Sequence, residues 1–173
     1  MENQKSSLKQ IAVNYGLLLA LVSILLMVIM YVANIEKNWM LSIVSMVITI
    51  FLLFSAIKAY RQGNGGFLKL GEGLKVGLAT AAIAGVVAGL YAYLHYSFVY
   101  PEYIDVIMEE ARESMSKSEG MTEEQREQAL NFTKSFTTPF MMATFSLIGS
   151  LFFGFIISLF SGLILKRDNP NEM

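Results

Sequence analysis

The sequence predicts an all-α integral membrane protein, with four transmembrane helices and an acidic helical hairpin outside the bilayer between the third and fourth. Four apolar stretches, residues 11–33, 39–57, 76–100 and 140–165, contain no Asp, Glu or Arg. Each is close to the ~20 residues an α-helix needs to cross a hydrocarbon core about 30 Å thick. A buried helix of a soluble protein rarely stays apolar for so long without a charged face. The chain is also only 16% charged and 54% hydrophobic, where soluble domains carry about 25% charged residues. The acids that remain are concentrated in residues 101–138, which hold nine of them against four bases. Residues 1–173 are read as a single membrane domain.

The first stretch is longer than the roughly 7–15 apolar residues of a cleaved signal, and Ala33-Asn34-Ile35-Glu36 is a poor cleavage site. It is expected to be a retained first span. A short turn containing Lys37 leads to the second span. The next link opens with Gly63, Gly65 and Gly66, which suit a turn because glycine tolerates positive φ. Phe67, Leu68, Leu70 and Leu74 then alternate with Lys69, Glu72 and Lys75, predicting a short helix on the membrane surface before span three. Gly71, Gly73 and Gly77 echo a nucleotide-binding loop, but such loops follow a strand in a βαβ unit and none fits here.

Two helices are predicted in residues 101–138. The first starts at Pro101, a residue suited to a helix's first turn, and runs to Met115. Gly120 interrupts the chain, and Thr122 with Gln125 forms a capping box that opens the second, which ends before Pro139. Tyr103, Ile104, Ile107, Met108, Ala111 and Met115 share one face. Leu130, Phe132 and Phe136 are expected to supply the complementary face of the partner helix.

Spans three and four carry the sharpest pattern. Gly77, Ala81, Gly85 and Gly89 recur every four residues, as do Ser146, Ser150, Gly154, Ser158 and Gly162. Small residues on one ridge let helix backbones approach closely, which matters in lipid, where no hydrophobic drive holds helices together. Two such ridges predict close, right-handed packing at about −40 to −50°. The alternative is that one ridge faces a second copy in a homo-oligomer.

Orientation follows the positive charges. Lys5, Lys9, Lys58, Arg61, Lys69, Lys75, Lys166 and Arg167 fall in segments sharing one side; Lys37, Arg112, Lys117, Arg126 and Lys134 fall on the other. Eight against five places both termini in the cytoplasm. Trp39, Tyr91, Tyr93, Tyr96 and Tyr100 would then lie at the opposite interface, where rings with one polar end are favoured.

Chemistry is sparse. Cysteine is absent and His95 is the only histidine, so thiolate sites are excluded and little is left from which to build a nucleophile–base pair. His95 is read as an interfacial residue of an aromatic belt, since a metal site needs three or four ligands. Asn14 and Tyr15 read as interfacial or helix-bridging groups. Met108, Met115, Met121, Met141 and Met142 suit gap-filling better than copper binding. The acids lack the spacing of a calcium loop, and Asn131-Phe132-Thr133 is a glycosylation sequon in form only. The absence of intramembrane charge argues against ion-coupled transport, and a net charge of −1 offers nothing to nucleic acid. No catalytic, cofactor-binding or metal residue is expected.

The layout resembles a known family, the uncharacterised membrane proteins grouped as domain of unknown function 4199 and found mainly in Bacteroidota. The matching parts are Phe67-Leu-Lys-Leu-Gly-Glu-Gly-Leu-Lys-Val-Gly77, the third span ending Phe98-Val-Tyr-Pro101, the acidic segment with Gly120-Met-Thr-Glu-Glu-Gln125, and a fourth span closed by Lys166-Arg167. The likeness covers nearly the whole chain. It implies a four-span protein of the bacterial inner membrane and carries no activity or site residue that can be transferred.

The function expected is that of a non-enzymatic accessory protein presenting residues 101–138 to a membrane or periplasmic protein partner. The alternative is a small oligomeric transporter or channel for a neutral or lipophilic solute. Convergence of Asn14, Ser23, Ser45, Thr49, Thr80 and the span-four serines on one cavity would favour the alternative.

Overall fold

A computed structural model describes residues 7–35, 39–118 and 120–170; Lys5, Lys37 and Glu119 lie outside them. It is all-helical. Helices α1 (Leu8–Val32), α2 (Trp39–Gly63) and α3 (Leu70–Leu94) come first, and α3 continues into a five-residue π-helix, His95–Val99. Two 14-residue helices, α4 (Tyr103–Ser116) and α5 (Glu123–Phe136), precede α6 (Pro139–Leu165).

Four helices, Leu8–Val32, Trp39–Gly63, Leu70–Val99 and Pro139–Leu165, are long and apolar enough to cross a membrane. Within the most apolar window of each, only 17% of α1 and 22% of α2 and α6 is buried. Leu21, Val47, Phe51, Phe152 and Phe160 are all more than half exposed. Outward apolar faces on this scale fit a multi-pass membrane protein, since soluble monomers rarely expose contiguous apolar surface.

The chain forms two compact units. The first comprises Met1–Ala88 and Ser146–Met173. Its α1 starts at Ser7, whose hydroxyl accepts from the Gln10 N–H at 3.2 Å, satisfying one of the amides a helix start leaves open. The α1 residues Ile11, Ala12, Gly16, Leu19 and Ala20 are buried. Gly16 admits α3 closely: a Cβ there would lie 2.9 Å from both Ile83 Cβ and the Thr80 carbonyl. One core cluster joins Ile11, Ala56, Ile57, Leu68, Val76 and Leu165; another joins Leu19, Ala20, Leu52, Leu53, Ala81 and Ala84.

The link after α2 departs from the expected surface helix. Gly65 and Gly66 turn the chain at φ +68° and +86°. Arg61 Nε donates to the Gly66 carbonyl and Asn64 Nδ2 to that of Phe67. Leu68 then pairs antiparallel with Arg167, its N–H donating to the Arg167 carbonyl at 2.9 Å and its carbonyl accepting at 3.0 Å. Leu68 is fully buried, so it serves the core and not a lipid surface. Leu70, Glu72, Leu74 and Lys75 belong to the opening turns of α3, where the Glu72 carboxylate accepts from the Lys69 N–H at 2.8 Å. The apolar–polar alternation therefore marks the buried start of a span.

The second unit is Gly89–Phe145. Helix α4 follows the turn at Pro101 and ends at Ser116; Gly120, at φ +92°, precedes α5. The capping box is complete: Thr122 Oγ1 accepts from the Gln125 N–H, and the Gln125 side chain accepts from the Thr122 N–H. Helices α4 and α5 pack on each other. The expected face of α4, Tyr103, Ile104, Ile107, Met108, Ala111 and Met115, is half-buried, but on α5 only part of the expected set turns inward. Leu130 is half-buried together with Ala129 and Thr133, whereas Phe132 and Phe136 are 67% and 40% exposed. The inward stripe, residues 126, 129, 130 and 133 at helical spacing, is rotated about a quarter of a turn from the phenylalanines.

Candidate functional site

In the first unit α3 and α6 run antiparallel along a seam of small residues. Gly73 stands against Gly162, Gly77 against Ser158, Ala81 against Gly154 and Gly85 against Ser150, a step of four forward on α3 matching four back on α6. A Cβ on Gly73 would lie 3.2 Å from Gly162 Cα, and one on Gly85 would lie 2.9 Å from both Leu147 Cδ1 and Ser150 Cβ. On Gly77 it would strike the Ser158 side chain, and on Gly154 the Ala81 methyl. Glycine is required here because the neighbouring helix occupies the space a side chain would take.

One hydrogen bond crosses the seam, from Ser150 Oγ to the Ala81 carbonyl at 2.8 Å. Ser158 Oγ is buried with no hydrogen-bond partner among the described residues. The ridges do not act uniformly at their far ends. Ser146 is exposed, and Gly89, in the second unit, has the Ala143 carbonyl 3.2 Å from where its Cβ would be. Gly73 is a member the sequence reading omitted, although it lies four residues before Gly77 and extends the same ridge. Gly149, off the ridge, has nothing within 4 Å.

Three further span hydroxyls, those of Ser23, Thr49 and Thr80, turn back onto their own helices. Ser23 donates to the Leu19 carbonyl at 2.9 Å, Thr49 to Ser45 at 2.8 Å and Thr80 to Val76 at 2.8 Å. Hydroxyls satisfied by the carbonyl four residues back add no polarity to a shared path. Asn14 is exposed on α1.

In the second unit His95 is buried among tyrosines. Burial comes from the π-helix, whose wide turn is closed by the Tyr100 N–H donating to the His95 carbonyl at 2.8 Å, and from the tyrosines around the ring. Tyr96 and Tyr100 meet the imidazole edge-on at 5.3 and 6.5 Å, the Tyr91 hydroxyl lies 3.4 Å from Nδ1, and Tyr103 stacks on Tyr96 at 5.0 Å. Among the described residues no three His, Asp or Glu side chains are grouped to hold a metal. The arrangement is an aromatic plug at the end of a span, built for packing.

A family model described as "Protein of unknown function (DUF4199)" matches residues 14–167, nearly the whole chain. No curated protein and no solved structure matches.

Proposed function

The chain belongs to the DUF4199 family, whose description names no activity, and from that premise we propose that it is a non-enzymatic accessory protein of the bacterial inner membrane. In this reading the spans are a scaffold, both termini are cytoplasmic, and α4 and α5 form an acidic hairpin that a membrane or periplasmic protein recognises.

The observation that carries the proposal is the fate of the span hydroxyls. Ser23, Thr49 and Thr80 are taken up by carbonyls of their own helices, and Ser150 by the α3–α6 seam. A solute path needs polar groups that converge and remain available to the solute; these four hydroxyls donate to backbone carbonyls, three within a helix and one across the seam. By contrast, Asp105, Glu124 and Glu127 are exposed on α4 and α5, where charge can meet a partner with a basic surface, while Glu109, Glu113 and Glu123 pair with Arg112, Lys117 and Arg126 of their own helices.

The test is crosslinking and affinity purification from native membranes. A tagged chain with residues 101–138 intact is compared with one carrying a Gly/Ser linker in their place. A specific partner recovered only with the intact segment is the expected result. Recovery of the protein alone or as a homo-oligomer refutes the accessory role and favours the transporter or channel for a neutral or lipophilic solute, to be assayed by flux into liposomes.

A further inference from the structure

Three phenylalanines, Phe132, Phe136 and Phe145, form one apolar path from the end of α5 onto α6, and Phe140 at the start of α6 is exposed as well. Phe132, Phe136, Phe140 and Phe145 are 67%, 40%, 65% and 50% exposed. The rings of Phe132 and Phe136 lie 4.6 Å apart, and those of Phe136 and Phe145 lie 6.1 Å apart. The rest of α5 is polar: Glu123, Glu124 and Glu127 stand exposed on its first turns. Its two phenylalanines come at the other end, where only residues 137 and 138 separate it from a membrane-length helix. Packing against α4 does not explain them, because α4 takes the neighbouring stripe of α5.

Large apolar side chains in contact with one another and exposed mark an interaction surface. What covers this one is indicated by what it joins. Phe145 and Phe140 are on α6, whose outward apolar residues face hydrocarbon wherever that helix crosses the bilayer. Phe136 touches Phe145, so the α5 surface is an extension of the lipid-facing surface and not a separate patch. A helix with acids at one end and aromatic rings at the end next to a span has the composition of an interfacial segment, which sinks its apolar side about 5–10 Å into the headgroup–acyl boundary.

We infer that the C-terminal half of α5 is seated in the leaflet beside it, with Phe132 and Phe136 embedded among lipid acyl chains. The α4–α5 pair is thereby docked against the membrane, leaving the acidic start of α5 in water. The inference rests on the membrane reading of the four long helices and is independent of the accessory role.

The experiment uses the full chain with its only tryptophan removed by Trp39→Phe. Single tryptophans are then placed at Phe132, at Phe136 and, as a span control, at Phe152, which is 59% exposed on α6. The proteins are reconstituted into phosphatidylethanolamine–phosphatidylglycerol vesicles containing lipid brominated on the upper acyl chain. The expected result is blue-shifted emission from Phe132→Trp and Phe136→Trp, with quenching by brominated lipid at least about half that of Phe152→Trp, as a depth near the boundary implies. Emission as red as in water, quenched by acrylamide and not by brominated lipid, would overturn the inference. So would blue-shifted emission that lipid does not quench and that changes with the protein-to-lipid ratio, which would place a second copy on this surface. Failure of lipid to quench Phe152→Trp would instead overturn the membrane reading itself.

Discussion

Placing a methyl group at Gly154 weighs the α3–α6 seam directly. The added Cβ lands on the Ala81 methyl, and Ala81, 1% exposed, has no side-chain torsion by which to yield. The helices must separate. Overpacking of this kind costs about 1–3 kcal/mol, and separation also stretches the bond from Ser150 Oγ to the Ala81 carbonyl, worth about 0.6 kcal/mol on average between membrane helices. Alanine regains some helix propensity over glycine, so the reference is Gly149→Ala on the same helix, where a Cβ meets nothing within 4 Å. The difference between the two variants should be roughly 2 kcal/mol, about thirtyfold in the unfolding equilibrium constant. It is read by titrating the purified protein from mild detergent into dodecyl sulfate and following helicity and tertiary fluorescence. Ala81→Gly added to Gly154→Ala should recover most of the loss by vacating the space. Equal midpoints for Gly149→Ala and Gly154→Ala would refute the close-packed seam, and so would failure of Ala81→Gly to rescue.

Two serines on one ridge should respond with opposite sign in that titration. Ser150→Ala loses the bond across the seam and should destabilise by about 0.6–1.7 kcal/mol. Ser158→Ala removes a buried hydroxyl without a partner and should be neutral or stabilise by up to about 1 kcal/mol. Leu68→Ala empties a fully buried site and should cost about 2–5 kcal/mol. Arg167→Pro deletes the N–H that donates to the Leu68 carbonyl, and should speed amide exchange at Leu68 while the span amides stay protected. Thr122→Ala breaks the capping box, for about 1 kcal/mol. Its effect should appear as faster exchange at Gln125, with the four long helices unchanged.

Much of the architecture was legible because it is local. A run of about 20 apolar residues is a property of one window of chain, and in lipid a helix satisfies its own backbone without help from distant residues. The four membrane-length helices and the Thr122–Gln125 cap are of this kind. The helix limits were less legible: α2 runs to Gly63 and α3 starts at Leu70, because a helix continues past its apolar core until turn residues such as Gly65 and Gly66 end it. The four-residue spacing of Gly77, Ala81 and Gly85 was also visible, but not which residue each one meets.

By itself, then, the sequence determined the number of membrane-length helices, the family, and the residues small enough for helices to meet. The tertiary structure alone decided the pairings. It joined Leu68 to Arg167, ninety-nine positions away, and turned an alternating pattern that suited a membrane surface into the buried start of α3. It set Ser150 across the seam and left Ser158 without a partner among the described residues. It closed tyrosines around His95 and rotated α5 so that Phe132 and Phe136 face outward. Periodicity says which residues share a face; it does not say what that face meets. That depends on how far each helix is turned about its axis, which only the packing of the other helices fixes.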